Sequence, residues 1–214
     1  SAASAVAPVV AINALLGEPF TREQLLPACL EGEALVSGYH ADNIGPSLFG
    51  GIMLITGTDA SQIKRLPVPD NLHLALITPD VEVPTAAARA ALPQQVSLQQ
   101  MVKQTGALAR LMDAIYRGDI PAMAEAMEDD QVIEPARAHM MPYLHEVRQA
   151  AKAAGAYAVV ISGAGPTLCS VCDREDAAQA VIDAMTAVYK DVKIACASRV
   201  SKVAVGGAQV LSVE

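Results

Sequence analysis

Two short stretches hold most of the side chains that could do chemistry. The first is His40-Ala41-Asp42-Asn43, which runs on through Ile44-Gly45-Pro46 to Gly50-Gly51. An imidazole or a carboxylate can take up a proton, and a carboxamide can orient a hydroxyl. The second is Ser162-Gly163-Ala164-Gly165-Pro166-Thr167, set between two apolar runs. Two glycines and a proline there describe a tight turn with exposed amides, a geometry that receives anions. Two arginines, Arg89 and Arg137, add forked cations of the kind that grip a carboxylate with paired bonds. Each has a plainer structural alternative: a polar turn before a strand, a hairpin loop, a solvated arginine.

These residues need elements to position them. Residues 1–16 are small and apolar and read as a helix ending at Gly17. Residues 21–35 read as a second helix. Thr21 and Gln24 form its capping box, and Leu25, Leu26, Leu30 and Leu35 form its buried face. Glu31 and Glu33 straddle Gly32 on it. Residues 50–56 read as a buried strand, and residues 57–70 as a turn-rich connection with Pro67 and Pro69. A strand follows at 72–78, with His73 at its edge or facing outward. Thr85 is a suitable N-cap for a short helix carrying Arg89. Residues 96–116 give a long amphipathic helix with Met101, Val102, Leu108, Leu111, Met112 and Ile115 on its apolar face. Glu125, Glu128, Asp129 and Asp130 read as a solvated acidic edge, and residues 133–137 as a compact turn. A helix over 140–154, strands over 157–161 and 168–172, a helix over 175–189 and strands over 192–199 and 203–213 complete the chain. Cys169 and Cys172 would point to opposite faces of one strand, which disfavours a metal pair.

Composition narrows the classes. The chain has 214 residues, 52% of them apolar, enough for a sizeable core with few aromatics to help build it. A net charge of −8 argues against a nucleic-acid partner, since phosphate backbones are bound by basic surfaces. Four scattered cysteines do not make a disulfide scaffold. No apolar run reaches membrane-spanning length. No signal peptide is visible. A cytoplasmic location is expected, and a plastid stays open because there is no initiator Met and no leader to inspect.

The string His-Ala-Asp-Asn-Ile-x-Pro followed by Gly-Gly closely resembles the signature of homoserine kinases. They belong to the small-molecule kinase family that also holds galactokinase and mevalonate kinase. Ser-Gly-Ala-Gly-Pro-Thr resembles the third motif of that family, and Glu134-Pro135-Ala136-Arg137 resembles its Glu-Pro-x-Arg segment. The resemblance implies an α+β fold of two subdomains, here residues 1–68 and 69–214, the second ferredoxin-like and the first lacking its N-terminal part. It implies transfer of the γ-phosphoryl of ATP to L-homoserine with Mg2+. Thr85, Arg89, Arg137, Gly163, Ala164 and Gly165 would hold the substrate. Ser1, Ser4, Ser162 and Thr167 would hold the nucleotide. Glu33, with Ser1, would hold the metal, and Glu31 is the alternative to Glu33. His40, Asp42 and Asn43 would orient the hydroxyl, with either Asp42 or Asn43 innermost. Family members carry a glycine-rich phosphate loop ahead of the first helix, so the chain reads as the C-terminal two-thirds of such a kinase. Alone it would bind MgATP poorly. A separate N-terminal segment and a homodimeric state are the expected partners. The rival readings are a kinase of the same fold for another small alcohol, and a non-catalytic ligand-binding module.

Overall fold

The computed structural model describes residues 2–36 and 38–212, which divide into two compact units. The first comprises residues up to Val68 together with the segment that begins at Val203; the second is Pro69–Lys202.

The first unit begins with α1 (Ala2–Leu15) and α2 (Arg22–Ala34). Just past the end of α1, Gly17 turns the chain in the left-handed region at φ +81. Helix α2 starts with the expected capping box: Gln24 N–H donates to Thr21 Oγ1 and Thr21 N–H to Gln24 Oε1. The helices meet where Gly32 faces Ala5; a Cβ on Gly32 would lie 3.2 Å from that of Ala5. Val6, Val10, Leu25, Leu26, Cys29 and Leu30 fill the core. Leu35 does not join them: it is 88% exposed, because α2 stops at Ala34 and the chain turns away.

Where a polar turn was expected to lead straight into a strand, a six-residue helix intervenes, α3 (Ile44–Phe49), with Ile44 and Leu48 buried. Strand β1 (Ile52–Ile55) follows, half-buried rather than buried. It pairs antiparallel with β2 (Ile63–Leu66), a strand inside the stretch read as a connection. Alternation is weak there because Lys64 and Arg65 interrupt it.

The tail over 203–212 is not the strand the sequence suggested. It packs in the first unit rather than in the second. Gly51 N–H donates to Ala204 O (2.7 Å) and Ala208 N–H to Ser47 O (2.8 Å). Arg22 and Arg65 donate to the carbonyls of Ala208 and Val205.

The second unit is a ferredoxin-like α+β layer. Its elements are β3 (His73–Pro79), α4 (Thr85–Ala90), α5 (Leu98–Arg117), α6 (Ile120–Glu128), α7 (Ile133–Arg137), α8 (Leu144–Ala153), β4 (Ala158–Ile161), β5 (Leu168–Cys172), α9 (Glu175–Asp191) and β6 (Cys196–Ser201). The sheet order is β4-β5-β3-β6, all antiparallel, which is the split βαβ arrangement. Helices α8 and α9 cover one face, burying Val147, Ala151, Val181, Met185 and Tyr189 against Ile77, Val159, Leu168 and Cys172.

Several local expectations change here. His73 is buried, 9% exposed, because β3 lies inside the sheet and its odd-numbered residues share the inward face with Ala75 and Ile77. Pro84, not Thr85, is the N-cap of α4; the side chain of Thr85 lies outside the described residues. On α5 the buried residues are Ala107, Ala114 and Ile115, while Met101, Val102 and Leu108 are at least half exposed. Residues 133–137 form a helical turn. Helix α8 begins at Leu144. Glu128, Asp129 and Asp130 are half-buried and bonded instead of forming a free acidic edge.

Candidate functional site

The candidate residues fall in both units. In the first, His40, Asp42 and Asn43 are all exposed, while Ala41 between them is buried. That single inward residue anchors the turn. Asp42 Oδ1 accepts Asn43 N–H at 3.1 Å. Asn43 is the N-cap of α3 by position, yet its side chain makes no capping bond. The carboxamide is therefore not spent on the helix it precedes. The turn is braced from behind, since Gly45 N–H donates to Ala41 O at 2.7 Å.

Glu33 and Glu31 separate cleanly. Glu33 is 8% exposed on the inward face of α2, one residue past the crossing with α1 at Gly32; Glu31 points outward. Ser4 lies exposed in the first turn of α1, next to Ala5 at the same crossing. Ser1 lies outside the described residues. Among the described residues no group of three or more His, Cys, Asp or Glu could hold a metal. A single carboxylate such as Glu33 still suits Mg2+, which keeps waters and phosphate oxygens as its other ligands.

In the second unit the predicted residues converge. Ser162 N–H donates to Thr167 O (2.9 Å) and Gly165 N–H to Ser162 O (3.0 Å), closing the loop as a hairpin that continues the β4–β5 pairing. Gly163 and Gly165 have φ +62 and +86, and the Gly165–Pro166 bond is cis. The amides of Gly163 and Ala164 have no backbone acceptor among the described residues, as an anion nest requires. Thr167 Oγ1 lies 2.7 Å from Thr78 Oγ1, so its hydroxyl is held by β3. Arg137 donates from Nε to Ala88 O and from Nη1 to Gly163 O, both at 3.0 Å. One guanidinium thus joins the glycine loop to the helix of Arg89. Arg89 itself is exposed. A cavity of about 280 Å³ opens beside them, with Glu134, Arg137, Ile161 and Gly163 in its wall.

Sequence reasoning passed over three acids that organise this region. Asp130 accepts the N–H groups of Val132, Ile133 and Glu134 at 2.7–2.9 Å, capping α7. Burial alone would raise its pKa; those three bonds, with Gln104, outweigh burial and hold the carboxyl below its ordinary range. Glu134 and Glu128 accept N–H groups of Ile161 and Val159 on the edge of β4. A signal was present in the sequence: acids directly before a short helix are capping candidates. Cys169 and Cys172 are both pushed up to about 11, chiefly by burial, so they stay as inert thiols at neutral pH.

The two-unit α+β architecture with a glycine hairpin loop is that of a known kinase class. The chain matches the GHMP kinases N terminal domain over residues 1–51 and the GHMP kinases C terminal region over residues 111–191, together well over half its length. It belongs to the GHMP kinase family of small-molecule kinases. Homoserine kinases are among its relatives. It is 39% identical to the homoserine kinase of Arabidopsis thaliana over 84% of this chain and 49% of the relative. With that of Chlorobaculum tepidum the identity is 34% over 99% of this chain and 66% of the relative. The crystal structure of homoserine kinase from Cytophaga hutchinsonii superposes with a TM-score of 0.90 at 40% identity, covering 94% of this chain and 64% of that one. L. major mevalonate kinase in complex with R-mevalonate, at 16% identity and a TM-score of 0.69, shares the fold, covering 94% of this chain and 66% of that one. The chain spans about half to two-thirds of the length of these relatives.

Proposed function

We propose that the protein transfers the γ-phosphoryl group of ATP to the side-chain hydroxyl of L-homoserine. The observation that carries this reading is Arg137, held between the carbonyl next to Arg89 and the carbonyl of Gly163. It gathers two carboxylate-gripping cations and an amide nest in one unit. Phosphoryl transfer asks for positioning and charge neutralisation more than covalent chemistry. Arg137 and Arg89 hold the substrate carboxylate, and the Gly163 and Ala164 amides receive phosphate oxygens. His40, Asp42 and Asn43 orient the hydroxyl; of these Asp42 and His40 can accept its proton, whereas Asn43 can only align it. Mg2+, held by Glu33 and the phosphates, would neutralise charge on the transferring group. A glycine-rich loop ahead of α1, in a longer polypeptide or a partner segment, is part of the proposal.

The test is a coupled assay of ADP release with homoserine, mevalonate, galactose and shikimate, on the chain alone and with an N-terminal segment supplying that loop. Homoserine should be the preferred acceptor, and the extended form the active one. Faster turnover of any other alcohol overturns the assignment, and absence of turnover with every acceptor favours a ligand-binding module.

A further inference from the structure

We propose that Glu134, together with Arg148, is a positioning pair that sets Arg137 in register with the glycine loop. The inference rests on the reading of Arg137 as a carboxylate anchor. Helix α7 has five residues, too short to hold its own shape in water. It needs external ties, and two of them run to one short segment of chain. Glu134 Oε2 accepts Ile161 N–H at 3.1 Å. Arg137 Nη1, one turn further along α7, donates to Gly163 O at 3.0 Å, two residues beyond Ile161. An acceptor and a donor on one face of α7 thus read a donor and an acceptor on the chain entering the loop. A slip of either segment breaks both bonds.

Arg148, on α8, sets the Glu134 end of this clamp. Its Nη2 pairs with Glu134 Oε1. Its Nε and Nη2 also donate to Val159 O, at 3.2 and 2.9 Å. The same guanidinium therefore grips both the acid and the strand that the acid must meet. Glu128 completes the arrangement by accepting Val159 N–H at 2.9 Å. The pair is largely screened from water, with side chains 29% (Arg148) and 19% (Glu134) exposed. Neither residue lies in the glycine loop. Their effect on a bound carboxylate runs through the placement of Arg137, and displacements of an ångström at such a group matter.

The variants are Glu134→Gln, which keeps the shape but has one acceptor oxygen in place of two, and Arg148→Met. In the active form of the protein, each should raise KM for L-homoserine about tenfold while kcat and KM for ATP stay within about twofold. The penalty should vanish with 3-aminopropan-1-ol, the same alcohol without its carboxylate. The double variant should be no worse than either single one, because both break one tie. A second readout needs no turnover: the NMR signal of Arg137 Nε–H, identified by its loss in Arg137→Lys, should be sharp in the parent protein and broadened in both variants. Equal penalties on both alcohols, or an unchanged Arg137 signal with a lowered Tm, would show that the pair only fastens the edge of the sheet. If Arg137→Ala leaves KM for homoserine unchanged while the signal still broadens in the variants, the anchor reading fails and the positioning of Arg137 stands.

Discussion

The polar turn at 38–51 and the glycine loop at 162–167 are built by opposite means. Around the loop several side chains are tied to groups distant in sequence: Arg137 to Ala88 and Gly163, Glu134 to Ile161, Thr167 to Thr78. Around the turn the named side chains are exposed, and the bond that Asp42 accepts from Asn43 N–H is between neighbours. The turn is held by its backbone instead, through Ala41, Ser47 and Gly51. Side chains can therefore be exchanged at the turn with little effect on folding. At the loop the same exchange disturbs structure and chemistry together.

Substitutions can break or sharpen that contrast. The largest effect is expected where backbone meets backbone. Gly50 has φ +73, and a Cβ there would fall 2.3 Å from the carbonyl carbon of Gly206. Gly50→Ala should cost about 3 kcal/mol in thermal or urea unfolding, from left-handed strain plus overpacking. It should also expose residues 203–212 to limited proteolysis. Next is Arg137→Ala. Losing a charge-assisted bond of about 1.5–3 kcal/mol should raise KM for homoserine roughly 10- to 100-fold, with a smaller rise for ATP. Because two backbone carbonyls lose their donor, Tm should fall as well. Equal weakening of both substrates would mark a structural role alone.

Smaller still is Asp130→Ala, which removes the cap of α7 and should cost about 1 kcal/mol. The same group gives a pH signature. Its folded pKa is depressed, so its stabilisation is complete above the ordinary carboxylate pKa of about 3.9 and is lost as pH falls through the lower folded value. The parent protein should lose stability on acidification in that window more steeply than Asp130→Asn does. Smallest on folding is Asp42→Asn. Tm should move by no more than the equivalent of about 0.5 kcal/mol, as for an exposed site, while kcat for homoserine falls. A large drop in Tm would erase the contrast between the two regions.

The same contrast explains what could be read from residue types. The capping box at Thr21 and Gln24 and the glycine hairpin at 162–167 were legible because both are local devices, complete within four to six residues. The inward aim of Glu33 was one of two alternatives until the Ala5–Gly32 crossing set the rotation of α2. Strand β2 escaped notice because Lys64 and Arg65 mask its pattern; its edges are defined by pairing with β1. Glu128 looked like a solvated acid since its partner Val159 lies 31 residues away, and Glu134, read only within a turn, meets Ile161 27 residues further on. His73 looked peripheral because strand order, not sequence, puts β3 inside the sheet.

The route of the chain also sets a timetable during synthesis. The second unit is an insertion in the sequence of the first, so a ribosome makes the β3–β6 layer before the segment at 203–212 that braces α2 and α3. Arg65 waits 140 residues for Val205, and Arg22 waits 186 for Ala208. At about 5–20 residues per second, that is roughly 7 to 37 seconds. For that interval the nascent turn carrying His40, Asp42 and Asn43 has Gly51 and Ser47 without their late partners. Residues made after the second unit lock a turn made before it.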